Sequence, residues 1–250
     1  MTDTESGLPP VIEQLWGLRG PGRRGGPKPA LSLERIVAAA VELADTGGLA
    51  ALSMGRLAEK LGFTTMSLYR YVASKDDLLV LVLDATLGLP PEAPDGDWRE
   101  QCAVWARALR DSYRAHPWAL ELPISGLPAG PNQLVWFDRG LRALAGLRLA
   151  PGEKASSVLL LSTYVRAQTQ LVLDLTRSAA AAGTAGTPPA DWATVVTRLA
   201  DPARYPEVAA VVEAGVFEDG DDDLGEDEFD FGLHRVLDGI DVLHRSRVSP

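Results

Sequence analysis

Two short helical segments separated by one glycine place the strongest constraint on the fold of this chain. Ser53 is a suitable cap for the first segment, whose buried side contains Leu57 and Leu61. Gly62 ends that helix, and a second short helix is predicted at residues 64–71. A longer amphipathic segment precedes the pair and another follows it. This spacing is typical of a helix-turn-helix motif.

The two flanking segments are predicted to be helices with one buried face each. Ser32 caps the first, and its inward side chains are Ile36, Val37, Ala40, Leu43 and Ala44. Ser74 caps the last, and its inward side chains are Leu78, Leu79, Leu81, Val82 and Ala85. In the second short helix, Leu68 and Val72 point inward. The four helices would therefore share one apolar core.

The rest of the chain is also predicted to be helical. No run of alternating apolar and polar residues rich in β-branched side chains is found in it. Helices are predicted at 98–115, 132–147, 152–178, 190–200, 206–215 and 227–245, and the alanine-rich stretch 179–182 is predicted to be a helix end and loop. The fold class is therefore all-α, with an N-terminal three-helix helix-turn-helix domain and a C-terminal helical domain.

A linker rich in Pro, Asp and Gly at residues 90–97 separates these two parts. We predict a flexible basic N-terminal arm at residues 1–30, a helix-turn-helix domain at 31–90 and a C-terminal domain at 95–250.

The charge of the chain is distributed unevenly between these parts. The net charge of the whole chain, −10, argues against a polyanionic partner. Residues 17–75, however, hold nine basic and four acidic side chains, while residues 76–250 hold 15 basic and 27 acidic ones. A basic module beside an acidic body indicates nucleic-acid contact at one end.

The residues of the second short helix are suited to that contact. Thr64, Thr65 and Ser67 are small donors and acceptors for base edges, and Met66 can touch a thymine methyl group. Tyr69, Tyr71 and Lys75 can reach phosphates, which set register and affinity. The alternative is a helical hairpin that serves only packing in a plain bundle.

Cysteine usage and the first residues indicate the compartment. Cys102 is the only cysteine, which excludes an internal disulfide and a cysteine-based zinc cluster. Asp3 and Glu5 take the place of a basic leader, and no apolar run is long enough to span a membrane. We therefore expect a soluble, cytoplasmic protein. No metal site, cofactor or catalytic constellation is found in the pattern, so an enzyme is not expected.

At this point the residues resemble a known family. The segments 52–58 (LSMGRLA), 61–63 (LGF), 67–72 (SLYRYV) and 74–79 (SKDDLL) are similar to the DNA-binding domain of the TetR family of bacterial regulators, and the similarity is continuous over 31–80. The C-terminal part resembles the ligand-binding domain of the tetracycline repressor, most visibly at 231–233 (FGL).

This resemblance implies roles for individual positions. Ser53 and Met54 would meet the DNA backbone, Thr65, Met66 and Ser67 would read bases, and Tyr69, Tyr71 and Lys75 would hold phosphates. Gly55 departs from the pattern, because the tetracycline repressor has a base-reading arginine at that place. The operator sequence is therefore expected to differ.

The resemblance also implies a homodimer and an effector. The interface would be a four-helix bundle formed by residues 152–178 and 227–245 of each chain, which agrees with the surplus apolar face of the longer helix. A small organic effector bound in the C-terminal domain would release a repressor from its operator, so effector and operator DNA oppose each other. An activating role is the alternative within the family.

A candidate effector pocket follows from the same resemblance. It is a largely apolar and aromatic set with a few polar groups, as small-molecule sites usually are. Its members are Trp105, Leu109, Leu122, Pro123, Leu127, Trp136, Arg139, Tyr164 and Gln168. Pro123 stands where the tetracycline repressor has its metal-binding histidine, so a tetracycline–magnesium chelate is not the expected ligand. The alternative for each aromatic residue is a place in the core.

Two further segments carry weaker signals. Residues 20–25 match a dinucleotide-binding glycine pattern, but no strand precedes them, and a basic arm whose Arg23, Arg24 and Lys28 contact DNA is the better interpretation. The acidic run 218–230 is interpreted as a solvated loop rather than a calcium site. The alternative function for the chain is a helical small-molecule-binding or scaffold protein without operator binding.

Overall fold

Four side-chain caps define the helices of the N-terminal domain in the computed structural model, which describes residues 7–18, 30–94, 96–124, 128–184, 192–215 and 226–247. The helices are α2 (Leu33–Gly47), α3 (Met54–Leu61), α4 (Thr65–Tyr69) and α5 (Lys75–Leu87). The hydroxyl oxygens of Ser32, Ser53, Thr64 and Ser74 accept hydrogen bonds from backbone amides three residues later at 3.3, 3.2, 3.3 and 3.0 Å. The three predicted caps, Ser32, Ser53 and Ser74, are thus confirmed, and Thr64 is a further cap that was not predicted.

The turn between α3 and α4 is formed by Gly62, which has a φ of 75° in the left-handed region. Glycine adopts this conformation without the steric cost that a Cβ brings. Around the turn, Leu57, Leu68 and Val72 are fully buried. The predicted inward faces are therefore largely confirmed. Ala85 is an exception, since its side chain is exposed and the buried position beside it belongs to Asp84.

A six-residue helix, α1 (Pro10–Leu15), precedes this domain and was missed by the sequence prediction. Val11 and Leu15 pack against the core of α2–α5. The prediction of a flexible arm is therefore wrong for these residues. The basic part of the arm, with Arg23, Arg24 and Lys28, lies outside the described residues.

The C-terminal part begins with α6 (Trp98–Ala115) and α7 (Pro131–Ala143), which pack against each other and against α5. A short 3-10 helix, Pro117–Glu121, follows α6 and places Trp118 and Ala119 in the core of the N-terminal domain. The predicted helix at 132–147 ends earlier, because residues 144–146 form a turn.

Two long helices complete the described chain, α8 (Pro151–Thr184) and α11 (Glu226–Ser246). α8 runs six residues beyond its predicted end at 178, because alanine is the strongest helix former. α11 includes residues 226–230 of the acidic run, so the predicted loop is wrong there. Carboxylates in the first turn of a helix are favoured by its dipole. The rest of the run, 218–225, lies outside the described residues.

The chain divides into two compact units, one formed by residues 1–167 with 233–250 and the other by 168–232. In the first unit, Val158, Leu161 and Val165 of α8 are buried, as are Leu233 and Leu237 of α11. In the second unit, α9 (Trp192–Leu199) and α10 (Pro206–Glu213) pack against each other. No strand occurs within the described ranges, so the all-α prediction is confirmed. No helix in this part of the chain is long and apolar enough to cross a membrane.

Candidate DNA-binding face and effector region

The second short helix, α4, separates its buried and exposed side chains sharply. Leu68 has no exposed surface, whereas Met66 is 73% exposed and Tyr69 is 46% exposed. The exposed side of α4 thus presents one large apolar side chain and one phenol to the solvent. Met66 and Tyr69 therefore lie where a ligand of the helix can reach them.

The start of α4 presents hydroxyl groups. Ser67 donates its backbone amide to Oγ1 of Thr64 at 3.3 Å, and the two hydroxyl oxygens lie 3.0 Å apart. Thr64 is exposed, while Thr65 and Ser67 are half-buried. One hydroxyl of the linked pair remains able to donate outward, which suits base edges and phosphates alike.

Basic side chains accompany this helix. Lys75 is exposed in the first turn of α5, and Arg70 is exposed directly after α4. Arg56 is exposed on α3. Sequence reasoning counted Arg56 and Arg70 in the charge of the module without assigning them a contact. Lys60 is different, because it pairs with Glu42 at 2.9 Å.

Tyr71 corrects the sequence prediction. Its hydroxyl was expected to hold a phosphate, but it donates to the backbone carbonyl of Leu31 at 2.9 Å. A phenol has a single O–H donor, and phosphate oxygens only accept, so this hydroxyl cannot donate to both. The carbonyl of Tyr71 in turn accepts a hydrogen bond from Nε2 of Gln14. Tyr71 therefore holds the domain together.

Met54 is a second correction. Its side chain is only 8% exposed and belongs to the apolar core, so it does not face the DNA backbone. Ser53 and Gly55 on either side are exposed. The hydroxyl of Ser53 accepts from the amide of Arg56 and keeps its own proton available for a phosphate. A Cβ on Gly55 would meet nothing within 4 Å, so this position is open to solvent.

In the C-terminal part, the structure brings together two of the predicted pocket residues. The rings of Trp105 on α6 and Trp136 on α7 meet edge to face with centroids 5.8 Å apart. The indole N–H of Trp105 donates to the carbonyl of Trp136 at 2.9 Å, and Trp136 donates to the carbonyls of Leu87 and Gly88. Both indoles are buried with their donors satisfied.

The other predicted pocket residues lie in different surroundings. Leu109 is buried on α6, and Arg139 and Tyr164 are half-buried on α7 and α8. Leu122 is a correction, because it packs in the core of the N-terminal domain. Pro123 is exposed. Leu127 lies outside the described residues, and Gln168 belongs to the second compact unit.

Arg166 on α8 was missed by the sequence analysis. Its guanidinium donates to the backbone carbonyls of Leu120 and Leu122, the second at 2.8 Å, and lies over the ring of Tyr113. It thereby satisfies backbone carbonyls at the end of the 3-10 helix. An arginine inside a long amphipathic helix gives no sequence signal for this role.

An open groove of about 510 Å³ lies along the start of α8. None of the predicted pocket residues lines it. Its walls are formed by Ala150, Gly152, Glu153, Ser156, Ser157, Leu160 and Leu243.

Comparison with known proteins places these features in a family. Residues 36–82 match the family model of bacterial regulatory proteins of the tetR family, and residues 90–243 match the tetracyclin repressor-like C-terminal domain. The chain is 38% identical to the HTH-type transcriptional repressor DrrR1 of Streptomyces coeruleorubidus, over 95% of this chain and 87% of that protein.

Solved structures agree. The TetR family protein ActR of Streptomyces coelicolor in complex with actinorhodin is 31% identical, with a TM-score of 0.67 over 84% of this chain and 96% of that chain. BioQ with its double-stranded DNA operator is 30% identical, with a TM-score of 0.51 over 56% of this chain and 86% of that chain. From its helix-turn-helix domain to its last helix, the chain belongs to the TetR family of bacterial transcription regulators.

Proposed function

We propose that the chain is a homodimeric, operator-binding transcriptional repressor in the cytoplasm, released from DNA by a small organic effector. The observation that carries the proposal is the exposure of Met66 and Tyr69 on a short helix whose start presents the hydroxyls of Thr64 and Ser67. These groups are what base edges and phosphates require of a protein partner. DrrR1, which is named a repressor, and the operator-bound BioQ structure support the assignment.

The residues of the DNA-binding face divide into those that read bases and those that hold phosphates. Thr65, Met66 and Ser67 read bases in the major groove, with Thr64 beside them at the start of α4. Phosphates are held by Ser53, Tyr69 and Lys75, and Gly55 lets the backbone approach closely. Met54 and Tyr71 support this face from inside, because their side chains are occupied in the core and at Leu31. Arg23, Arg24 and Lys28 add contacts from the arm.

The dimer is proposed to form through α8 and α11, within the C-terminal domain at 95–250. In the first compact unit these helices leave Leu159, Leu160 and Val242 58%, 52% and 68% exposed. Three large apolar side chains beside an open groove are typical of a surface that a second copy covers. A dimer of this kind places its two α4 helices in successive major grooves, about 34–36 Å apart.

The effector is proposed to bind beside the Trp105–Trp136 pair, with Leu109, Arg139 and Tyr164 as further contacts. An aromatic pair and one guanidinium favour an aromatic or apolar organic molecule with an anionic or hydroxyl group. ActR, solved with actinorhodin, is a relative in which a small molecule is bound.

Selection of duplexes from a random DNA pool by the full chain tests the proposal. We expect a palindromic sequence to be enriched and its affinity to fall steeply with salt. Sedimentation should show one dimer per duplex, and Leu160→Glu should give monomers that bind the duplex far more weakly. Actinorhodin is the first effector probe, with release of the bound duplex as the expected result. Recovery of unrelated duplexes with no salt dependence would instead favour the scaffold function.

A further inference from the structure

The first turn of α7 is held by a carboxylate from another helix. Asp84 on α5 is only 2% exposed, and its two carboxylate oxygens accept the backbone amides of Gln133 at 3.0 Å and Asn132 at 3.3 Å. The side-chain amide of Asn132 also donates to the backbone carbonyl of Asp84, at 3.0 Å. The cap of α7 therefore comes from the helix that follows the helix-turn-helix.

Gly130, at the N-cap position of α7, makes this approach possible. A Cβ on Gly130 would lie 2.1 Å from Oδ1 of Asp84, which is well inside van der Waals contact. The backbone of Gly130 has a φ of −76°, which any residue can adopt. The glycine is therefore required by the closeness of the carboxylate and not by its own conformation.

A second contact lies one turn further along α7. The indole N–H of Trp136 donates to the carbonyls of Leu87 and Gly88, at 3.2 and 3.1 Å, where α5 ends. Backbone and side-chain donors of the first two turns of α7 thus all bind acceptors at the end of α5. A movement of α7 along or about its axis would break several of them at once, because each has a narrow angular tolerance.

α1 attaches to the segment that leads into α7. The indole N–H of Trp16 donates to the carbonyl of Ala129 at 2.9 Å, directly before α7. Two residues earlier in the chain, Gln14 donates to the backbone carbonyl of Tyr71, two residues after the end of α4, the helix proposed to read bases. α1 therefore bridges the start of α7 and the end of α4.

We propose that the start of α7 is the joint that fixes the recognition helix relative to the C-terminal domain, with Asp84 and Trp16 as its positioning residues. The proposal deepens the proposed function, since it names the contacts through which the effector region acts on DNA binding. Trp136 contacts both the effector region and the joint, because it packs against Trp105 and donates a hydrogen bond to the end of α5. The other end of α5 shares one core with Leu68 of α4. A shift of α7 is thereby passed to α4 through one rigid helix.

Spin-label distances within one subunit test the joint without DNA or effector. Met66→Cys on α4 and Arg142→Cys on α7 provide labelling sites, since these side chains are 73% and 72% exposed. The native Cys102 is buried, and burial raises the pKa of its thiol to about 12, so it does not compete for the label near neutral pH. Labelled subunits are diluted with unlabelled ones so that only distances within a subunit are measured.

We expect one narrow distance distribution in the otherwise native chain and a broad or shifted one after Asp84→Ala or Trp16→Phe. Asp97→Ala is the matched control, because Asp97 caps its own helix, accepting from Glu100 at 2.9 Å, and joins no two helices. The control loses a side-chain cap of a single helix and should keep the narrow distribution. A distribution as narrow in both joint variants as in the control would overturn the proposal.

Asp84→Asn serves if Asp84→Ala does not fold, because it keeps one acceptor oxygen; it should broaden the distribution less. With a selected duplex and unlabelled chains that keep Met66, we expect the joint variants to bind several-fold to about tenfold more weakly, since only a fraction of molecules holds the competent orientation. Failure to select any duplex would count against the repressor function alone. Tight DNA binding with unchanged distances would count against the joint alone.

Discussion

Trp118 donates its indole N–H to Oδ1 of Asp45 across 2.7 Å, joining the segment after α6 to the last turn of α2. The same oxygen lies 2.7 Å from Nδ1 of His116. Trp118 is only 2% exposed, so the carboxylate of Asp45 satisfies a buried donor. This contact fastens the 3-10 helix to the N-terminal core, while the guanidinium of Arg166 on the carbonyls of Leu120 and Leu122 ties the same segment to α8.

The contact predicts a difference between two substitutions at Asp45. Asp45→Ala leaves the buried N–H of Trp118 without an acceptor and should lower the free energy of unfolding by about 1–3 kcal/mol. Asp45→Asn keeps a carbonyl oxygen in place and should cost less than half as much. Urea denaturation followed by tryptophan fluorescence measures both. Equal losses for the two variants would show that the charge, and not the acceptor, is what matters.

Two tyrosines on either side of Arg70 are predicted to respond differently. Tyr69→Phe combined with Lys75→Ala removes two phosphate contacts, so affinity should fall by similar factors for selected and unselected duplexes. The slope of log affinity against log salt should lose about one unit with the lysine. Binding measured by fluorescence anisotropy at several salt concentrations tests this. Loss of affinity for the selected duplex alone would contradict the phosphate role.

Tyr71→Phe is the matched control for that pair. Its hydroxyl is bound to the carbonyl of Leu31, so the variant should lose about 1 kcal/mol of stability and keep the salt slope unchanged. A changed salt slope in this variant would mean that the hydroxyl leaves Leu31 when DNA binds.

The helices of this fold could be predicted from the sequence because their signals are local. Ser53, Thr64 and Ser74 each lie three residues before the amide they accept from, and the spacing of Leu68 and Val72 already places both on one side. Such pairs are adjacent in the chain, so a single sequence reveals them. Prediction failed for α1, since a helix of only six residues that begins with proline is too short to show a helical periodicity in the sequence.

The contacts that position the site could not be predicted, because their partners are distant in the chain. Tyr71 and Leu31 are 40 residues apart, and Asp84 and Gln133 are 49 apart. An aspartate between apolar residues is expected at the surface unless its partner is known. The same holds for Met54, whose place in the first turn of α3 suits either a DNA contact or the core. The structure decides these cases by burial.

Asp84 predicts a pH dependence of stability. Burial is the largest influence on its carboxyl group and raises the pKa above the ordinary value near 3.8, against the opposing hydrogen bonds from Gln133 and Asn132. The folded protein thus holds this proton more tightly than the unfolded chain does. The contribution of Asp84 to stability is therefore fully present below the ordinary pKa and is lost as pH rises through the raised one.

Urea denaturation of the native chain and of Asp84→Asn between mildly acidic and neutral pH measures this contribution. The difference in free energy of unfolding, native minus variant, should increase as the pH falls through the pKa of Asp84. The variant does not titrate at this position, so other carboxyl groups cancel in the difference. A difference that is constant with pH, or that decreases as the pH falls, would mean that the helix amides outweigh burial.

Gly130→Ala is predicted to destabilise the native chain, and Asp84→Ala is predicted to remove the cause. The new Cβ would overlap Oδ1 of Asp84, so the cap must withdraw, and overpacking of this kind costs about 1–3 kcal/mol. Gly146→Ala is the matched control, since its Cβ would meet nothing within 4 Å. In an Asp84→Ala background the overlap is absent, and Gly130→Ala should then cost little. The free energies of unfolding of the four variants in this cycle give the coupling directly. Additive losses would show that Gly130 is needed for some other contact. They would also mean that Oδ1 of Asp84 lies further than 2.1 Å from the position of a Cβ on residue 130.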